Sequence, residues 1–149
     1  LTRDLHDKAE PIADEIGLFG FPRSKVHYYA ASALVALPDG ASAPIAVSEA
    51  LTAIDLFRSG PAEDRFITDE ILAQIHAANG LVQQGEVQHA GVFLDAVFRT
   101  ADNQRVSWHR QRLDTIDTML SAPRFRGSRT AAELRQRLSA FLQSSGRRP

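Results

Sequence analysis

Apolar residues recur at every third and fourth position along nearly the whole chain, and glycine- or proline-rich punctuation cuts these runs at short intervals. Side chains spaced in this way share one face of an α-helix. A half-buried strand would need strict alternation instead, and no stretch alternates for more than a few residues. The predicted fold class is therefore all-α, an array of about seven helices. The pattern is clearest in LVQQGEVQHAGVFLDAVF, Leu81 to Phe98. Ile75, Ala78, Leu81 and Val82 form one stripe before Gly85, and Ala90, Phe93, Leu94 and Val97 form another after it. Gly85 supplies the left-handed residue that ends the first helix. Glu86 places negative charge in the opening turn of the second, where unpaired N–H groups and the helix dipole favour it. The stretch reads as an antiparallel helix pair.

The same reading runs along the rest of the chain. A first helix is predicted from Thr2 to Glu15, with Leu5, Ala9, Ile12 and Ile16 on one face and Pro11 as a bend or break. GLFGFP follows as a turn, with Phe19 and Phe21 as plugs. A second helix starts near Pro22, a good first-turn residue, carries Val26, Tyr29, Ala30, Ala33, Leu34 and Leu37 as its apolar residues, and ends at Pro38-Asp39-Gly40. A third runs from about Pro44 to Arg58 with Ala46, Val47, Ala50, Leu51, Ile54 and Phe57 inward, and Gly60-Pro61 stops it. The quoted pair extends upstream to Asp64. The next helix begins near Gln104, carries Val106, Trp108, Leu113, Ile116, Met119 and Leu120, and is ended by Pro123. The last opens on Thr130-Ala-Ala-Glu133, read as a capping box, and has Leu134, Leu138, Phe141 and Leu142 as its stripe. Ser144 to Pro149 reads as a frayed tail.

A chain of 149 residues suits one domain with a real core. The absence of cysteine excludes disulfides, zinc–thiolate sites and thiol nucleophiles, and fits a reducing compartment. With no long apolar run and no basic-then-apolar leader, a cytoplasmic protein is expected that neither spans nor enters a membrane. Charge is unevenly spread. Residues 1–98 carry 6 Lys and Arg against 14 Asp and Glu, while residues 99–149 carry 11 against 4. The basic end can attract nucleic acid, or it can sit against the acidic half of its own chain or of a second copy.

Helix pairs joined by short turns call for a repeat search. Counting from Gly85, Ala90 and Leu94 fall where a tetratricopeptide unit has its small and bulky residues, Val97 stands in an alanine slot, and Ala77, Ala78 and Leu81 take the small-small-bulky slots of the first helix. A second count, from Gly40, places Ser32, Ala33 and Ala36, and then needs an insertion before Ala50 and Ile54 fit. The repeats are irregular. Small residues let two helix axes approach closely, and each pair stacks on its neighbour to bury its open face. FGFPRSKVHYYAASALVALPDG, ALTAIDLF, DEILAQIHAANGLVQQGEVQHA and RLDTIDTMLSAPRFRGSRTAAELRQRLSAF then resemble the C-terminal tetratricopeptide-like region of bacterial XRE-type helix-turn-helix transcriptional regulators. The likeness runs from about Gly17 to Phe141. It implies a domain that senses a ligand or peptide, or mediates assembly. No helix-turn-helix is found in the chain, so DNA binding is expected only of a longer parent protein from which this chain is a fragment.

Chemical motifs are sparse. H-E-x-x-H, G-x-S-x-G, G-x-x-x-x-G-K-[ST] and G-x-G-x-x-G do not occur. Glu86 and His89 form a single E-x-x-H, half of a di-metal site, with no second copy to complete it. The expectation is therefore a non-enzymatic protein with no cofactor and no metal. Its candidate groove is built from His76, Asn79 and Gln83, a line of polar groups able to bond a peptide laid across the helix, together with Trp108, Arg112 and Tyr29. Each has a plainer reading. Asn79 and Gln83 can face solvent or bond neighbouring carbonyls, Trp108 can be core, and Tyr28 and Tyr29 can be packing residues with hydroxyls at the rim. Arg124, Arg126 and Arg129, which flank Phe125, can touch phosphates or bond helix-end carbonyls while Phe125 plugs the last two helices. The function expected is binding of a peptide, small molecule or protein within a transcriptional regulator. A homodimerisation module and a small helical enzyme or metal-binding bundle are the alternatives.

Overall fold

The computed structural model of the protein describes residues 22–38, 40–61, 67–100 and 106–146. Within them the backbone forms six α-helices and no strand. These are α1 (Arg23–Val35), α2 (Ala43–Ser59), α3 (Ile67–Gln83), α4 (Val87–Thr100), α5 (Val106–Leu120) and α6 (Arg129–Gly146), with one 3-10 turn (Pro123–Phe125) between the last two. The all-α expectation holds. The helix read over Thr2 to Glu15 and the plugs Phe19 and Phe21 lie outside the described residues.

The helices pack in adjacent pairs, α1 on α2, α2 on α3, α3 on α4 and α5 on α6. In addition α1 lies against α3, α3 against α5, and α4 against α6. This is a stack of helix pairs in which α1, α3 and α5 form one layer. Helix α3 sits at the centre and is buried on every side from Glu70 to Ala78. Alanines set the spacing around it: Ala31 of α1, Ala50 of α2 and Ala77 of α3 meet in one cluster, each with no exposed surface. Gly80 goes further, because a Cβ there would lie 2.7 Å from Val47 Cγ2 and 3.2 Å from the Ala43 carbonyl oxygen. Large apolar residues close the remainder, with Phe57, Ile71, Ile75, Leu94, Leu113, Ile116 and Leu138 almost wholly buried.

The turn at Gly85 is a Schellman closure. Gly85 has φ +82°, its N–H donates to the Val82 carbonyl at 2.9 Å, and the Glu86 N–H donates to the Leu81 carbonyl at 2.8 Å. Arg124 completes it from the far linker, donating to the carbonyls of Val82 at 2.9 Å and Gln83 at 3.2 Å. The helix-end role read for the PRFRGSR arginines is thus filled by Arg124, at the end of α3. Arg124→Ala should cost about 1 kcal/mol, since two charge-assisted bonds to a helix end are lost. A circular-dichroism melt would show this as a midpoint lower by about 2–4 °C for a chain of this length. An unchanged midpoint would show that water serves those carbonyls equally well.

Four local readings are corrected. In α1 the buried face is Ser24, Val26, His27, Tyr28 and Ala31, while Tyr29, Ala33 and Leu37 are exposed. The helix is rotated relative to its apolar stripe because His27 finds a carboxylate inside, Glu49 of α2, through Nδ1 and Oε2. Pro22 is the extended cap of α1 (ψ 143°) rather than part of its first turn. At the start of α6 the capping oxygen is Ser128 Oγ, which accepts from the Ala131 N–H at 3.2 Å, and Glu133 pairs instead with Arg129 at 3.1 Å. Ser128 wins because Gly127, at φ +87°, turns the chain one step earlier. Finally, α6 continues through Ser144 to Gly146, beyond where fraying was expected.

Candidate functional site

All six predicted groove residues fall on the layer formed by α1, α3 and α5: Tyr29 on the first, His76, Asn79 and Gln83 on the second, Trp108 and Arg112 on the third. The described side chains divide into two groups. Tyr29, 53 % exposed, packs its ring on Tyr28 with centroids 4.9 Å apart and planes tilted by 56°. Tyr28 is buried and packs in turn on the His76 ring at 5.6 Å. The guanidinium of Arg112 acts on both Tyr28 and His76. Tyr29 and His76 are therefore linked across α1 and α3 through Tyr28, read from sequence as packing, and the charge of Arg112 on α5 is felt by Tyr28 and His76. The side chain of Trp108 lies outside the described residues.

Burial decides the charge state of this cluster. His76 is 4 % exposed and its Nε2 has no hydrogen-bond partner. Loss of hydration, and then the positive field of Arg112, lower its pKa to about 4, so the imidazole is neutral at pH 7. Burial also pushes the Tyr28 phenol up, the charge of Asp69 adds to the shift, and Arg112 works against it. Asp69 is shared with Lys25 of α1 at 3.8 Å. The face thus presents the exposed Tyr29 ring and the Arg112 cation above two buried neutral aromatics, Tyr28 and His76. Such a set suits non-covalent recognition.

Asn79 and Gln83 continue the line along α3, one and two turns beyond His76. Gln83 Nε2 donates to Asn79 Oδ1 at 2.7 Å and to the Val35 carbonyl at 2.9 Å. Gln83 therefore ties the end of α3 to the end of α1. This bond closes the far edge of the face and fixes the spacing of the two helices that present Tyr29 and His76.

Sequence reasoning missed the His27–Glu49 pair, which holds α1 to α2 at 3 % and 13 % side-chain exposure. No motif links residues 22 apart, and only the oddity of a histidine among alanines could have signalled it. Glu86 and His89 are 3.8 Å apart and both largely exposed, a surface pair at the start of α4. No group of three or more metal-ligating side chains occurs among the described residues. The basic end of the chain is largely turned on itself. Arg135 pairs with Asp117 at 3.0 Å, Arg137 with Asp95, and Arg110 donates to the Leu142 carbonyl at 2.9 Å. Of these, only the Arg137–Asp95 pair sets the basic end against the acidic half of its own chain, since Asp117 and Leu142 lie within residues 99–149. No helix among the described residues is long and apolar enough to cross a membrane. Comparison with known protein families, with characterised proteins and with solved structures returned no match.

Proposed function

We propose that the domain is the sensing or assembly part of a bacterial XRE-type transcriptional regulator, a cytoplasmic, tetratricopeptide-like scaffold that binds a peptide, small molecule or protein and performs no catalysis. The observation that carries this reading is the chain of rings Tyr29, Tyr28 and His76 across α1 and α3, with the charge of Arg112 on α5 acting on the last two. A ligand placed there touches α1, α3 and α5 together, so its affinity depends on how the pairs stack. Differential affinity for two stackings is the physical requirement for a ligand to shift one toward the other. An attached DNA-binding part would feel that shift. The resemblance of the repeat phrases to regulator C-terminal regions supplies the rest of the argument.

The test is titration calorimetry with a panel of short peptides and metabolites, run in parallel with the fluorescence of Trp108, the single tryptophan of the chain. For whichever compound binds, Tyr29→Ala and Arg112→Ala are each expected to weaken affinity about tenfold, equivalent to about 1.4 kcal/mol. Asn79→Ala should act less, because that amide already bonds Gln83. Equal affinity in wild type, Tyr29→Ala and Arg112→Ala rules this face out.

A further inference from the structure

The linker between α5 and α6 shapes a second recognition feature. The end of α5, the Pro123–Phe125 turn and the first turns of α6 surround an open cleft of about 270 Å³, room for one large apolar side chain. Its floor is apolar, with Leu120 and Ala131 buried and Phe125 half-buried against the core. Gly127 and Ala132 leave the space above that floor unfilled. One wall is held from behind. Arg124, bonded to the carbonyls at the end of α3, lies over the Phe125 ring with its guanidinium carbon 4.6 Å from the centroid. A recess fixed in this way needs little ordering when a partner enters it.

The charge around the cleft decides which partner suits it. The lining contains two guanidinium groups, Arg126 and Arg135, and no carboxylate. Residues 121–146 as a whole hold five Arg against one Glu. Three of these arginines are matched within the chain, Arg129 by Glu133, Arg135 by Asp117 and Arg137 by Asp95. Arg124 is not, because its bonds go to neutral carbonyls, and the exposed Arg126 makes no ion pair among the described residues. Two cations that no carboxylate answers therefore stand beside an apolar hole. The complementary surface is an apolar side chain with carboxylates next to it. Nucleic acid fits less well, because a base needs an open aromatic face, and the half-buried Phe125 ring already carries Arg124.

We propose that this cleft binds an acidic peptide segment of a partner protein, one apolar side chain of which enters the recess while carboxylates on either side of it face Arg126 and Arg124. The cleft shares no residue with the face built on Tyr29, His76 and Arg112, so either reading can fail without the other.

Fluorescence anisotropy with the full chain tests it, using as probe a labelled short peptide whose central leucine is flanked by aspartates. Binding is expected, and it should weaken about tenfold when the leucine is replaced by alanine and vanish when the aspartates are replaced by lysines. Arg126→Glu should lower affinity about tenfold by reversing one rim charge. Ala132→Phe, which fills the cleft from an exposed position, should abolish binding. Both variants should melt as wild type does, because both positions are exposed. Failure of the aspartate–leucine peptide to bind overturns the proposal, as does equal affinity for the alanine-centred peptide, or an affinity unchanged in Arg126→Glu or in Ala132→Phe. Tighter binding of a short single-stranded DNA than of the peptide also overturns it, and would make these arginines a phosphate site.

Discussion

Replacing Gly80 with valine is expected to lower stability by about 3 kcal/mol, at the upper end of what overpacking costs, and the thermal midpoint by about 6–12 °C for a chain of this length. On helix propensity alone, replacing a helical glycine with alanine should help, by about 1 kcal/mol. Here the helix has no room for it. The first side-chain carbon would lie 2.7 Å from Val47 Cγ2 and 3.2 Å from the Ala43 carbonyl oxygen, and the latter is backbone of α2 that cannot rotate away. Even Gly80→Ala is therefore expected to destabilise. Val47→Ala in the Gly80→Ala background should restore part of the loss by removing the nearer obstacle, and the Ala43 carbonyl keeps the rest. Melting curves of the two single variants and the double variant check this. A Gly80→Ala protein more stable than wild type would mean that α2 and α3 can move apart without penalty.

Acidification should weaken the fold through His76. Its pKa in the folded chain is about 4, against 6.5 for an ordinary histidine, so the unfolded chain takes up this proton first as pH falls. The stabilisation from keeping the ring neutral is complete above about pH 6.5 and is lost progressively down to about pH 4, reaching on the order of 3 kcal/mol. Carboxylates begin to titrate at the lower end of that window, so the informative quantity is a difference. His76→Phe keeps a ring against Tyr28 and removes the unpartnered Nε2. It should melt higher than wild type at pH 5, with a gap that narrows toward pH 7. Parallel curves for the two proteins across the window would show that the imidazole is solvated after all. The same variant bears on recognition, because a ligand that bonds the imidazole loses affinity for it at neutral pH.

Periodicity was a sound guide wherever bulky and charged residues separate cleanly. The stripes of α4 and α6 are of this kind, and Leu94, Val97, Leu134 and Leu138 lie where their spacing puts them. It failed in α1, where small residues stand on every side and a pattern of size has little contrast. What turned that helix was a polar pair, His27 with Glu49, and pairing across 22 residues leaves no periodic trace. Helix ends divided in the same way. Gly85 was legible because a left-handed residue needs glycine, whereas Ser128 took the cap from Thr130 through a chain reversal at Gly127 that spacing does not record. At the candidate site, helical spacing placed the six candidate residues on three helices of one layer. It could not show that Tyr28 would join Tyr29 to His76, nor that Gln83 would be occupied by the carbonyl of Val35, because a free helix-end carbonyl has no signature in sequence.

The guanidinium that closes α3 comes from a linker 41 and 42 residues further along the chain. Stacked helices often peel from their ends, each terminal layer opening without disturbing the next. Here the outermost pair cannot lift away without uncovering the end of the innermost rod. Amide exchange in the last turn of α3 should then follow the opening of α6, so that a disturbance at the rim of the molecule is registered at its centre.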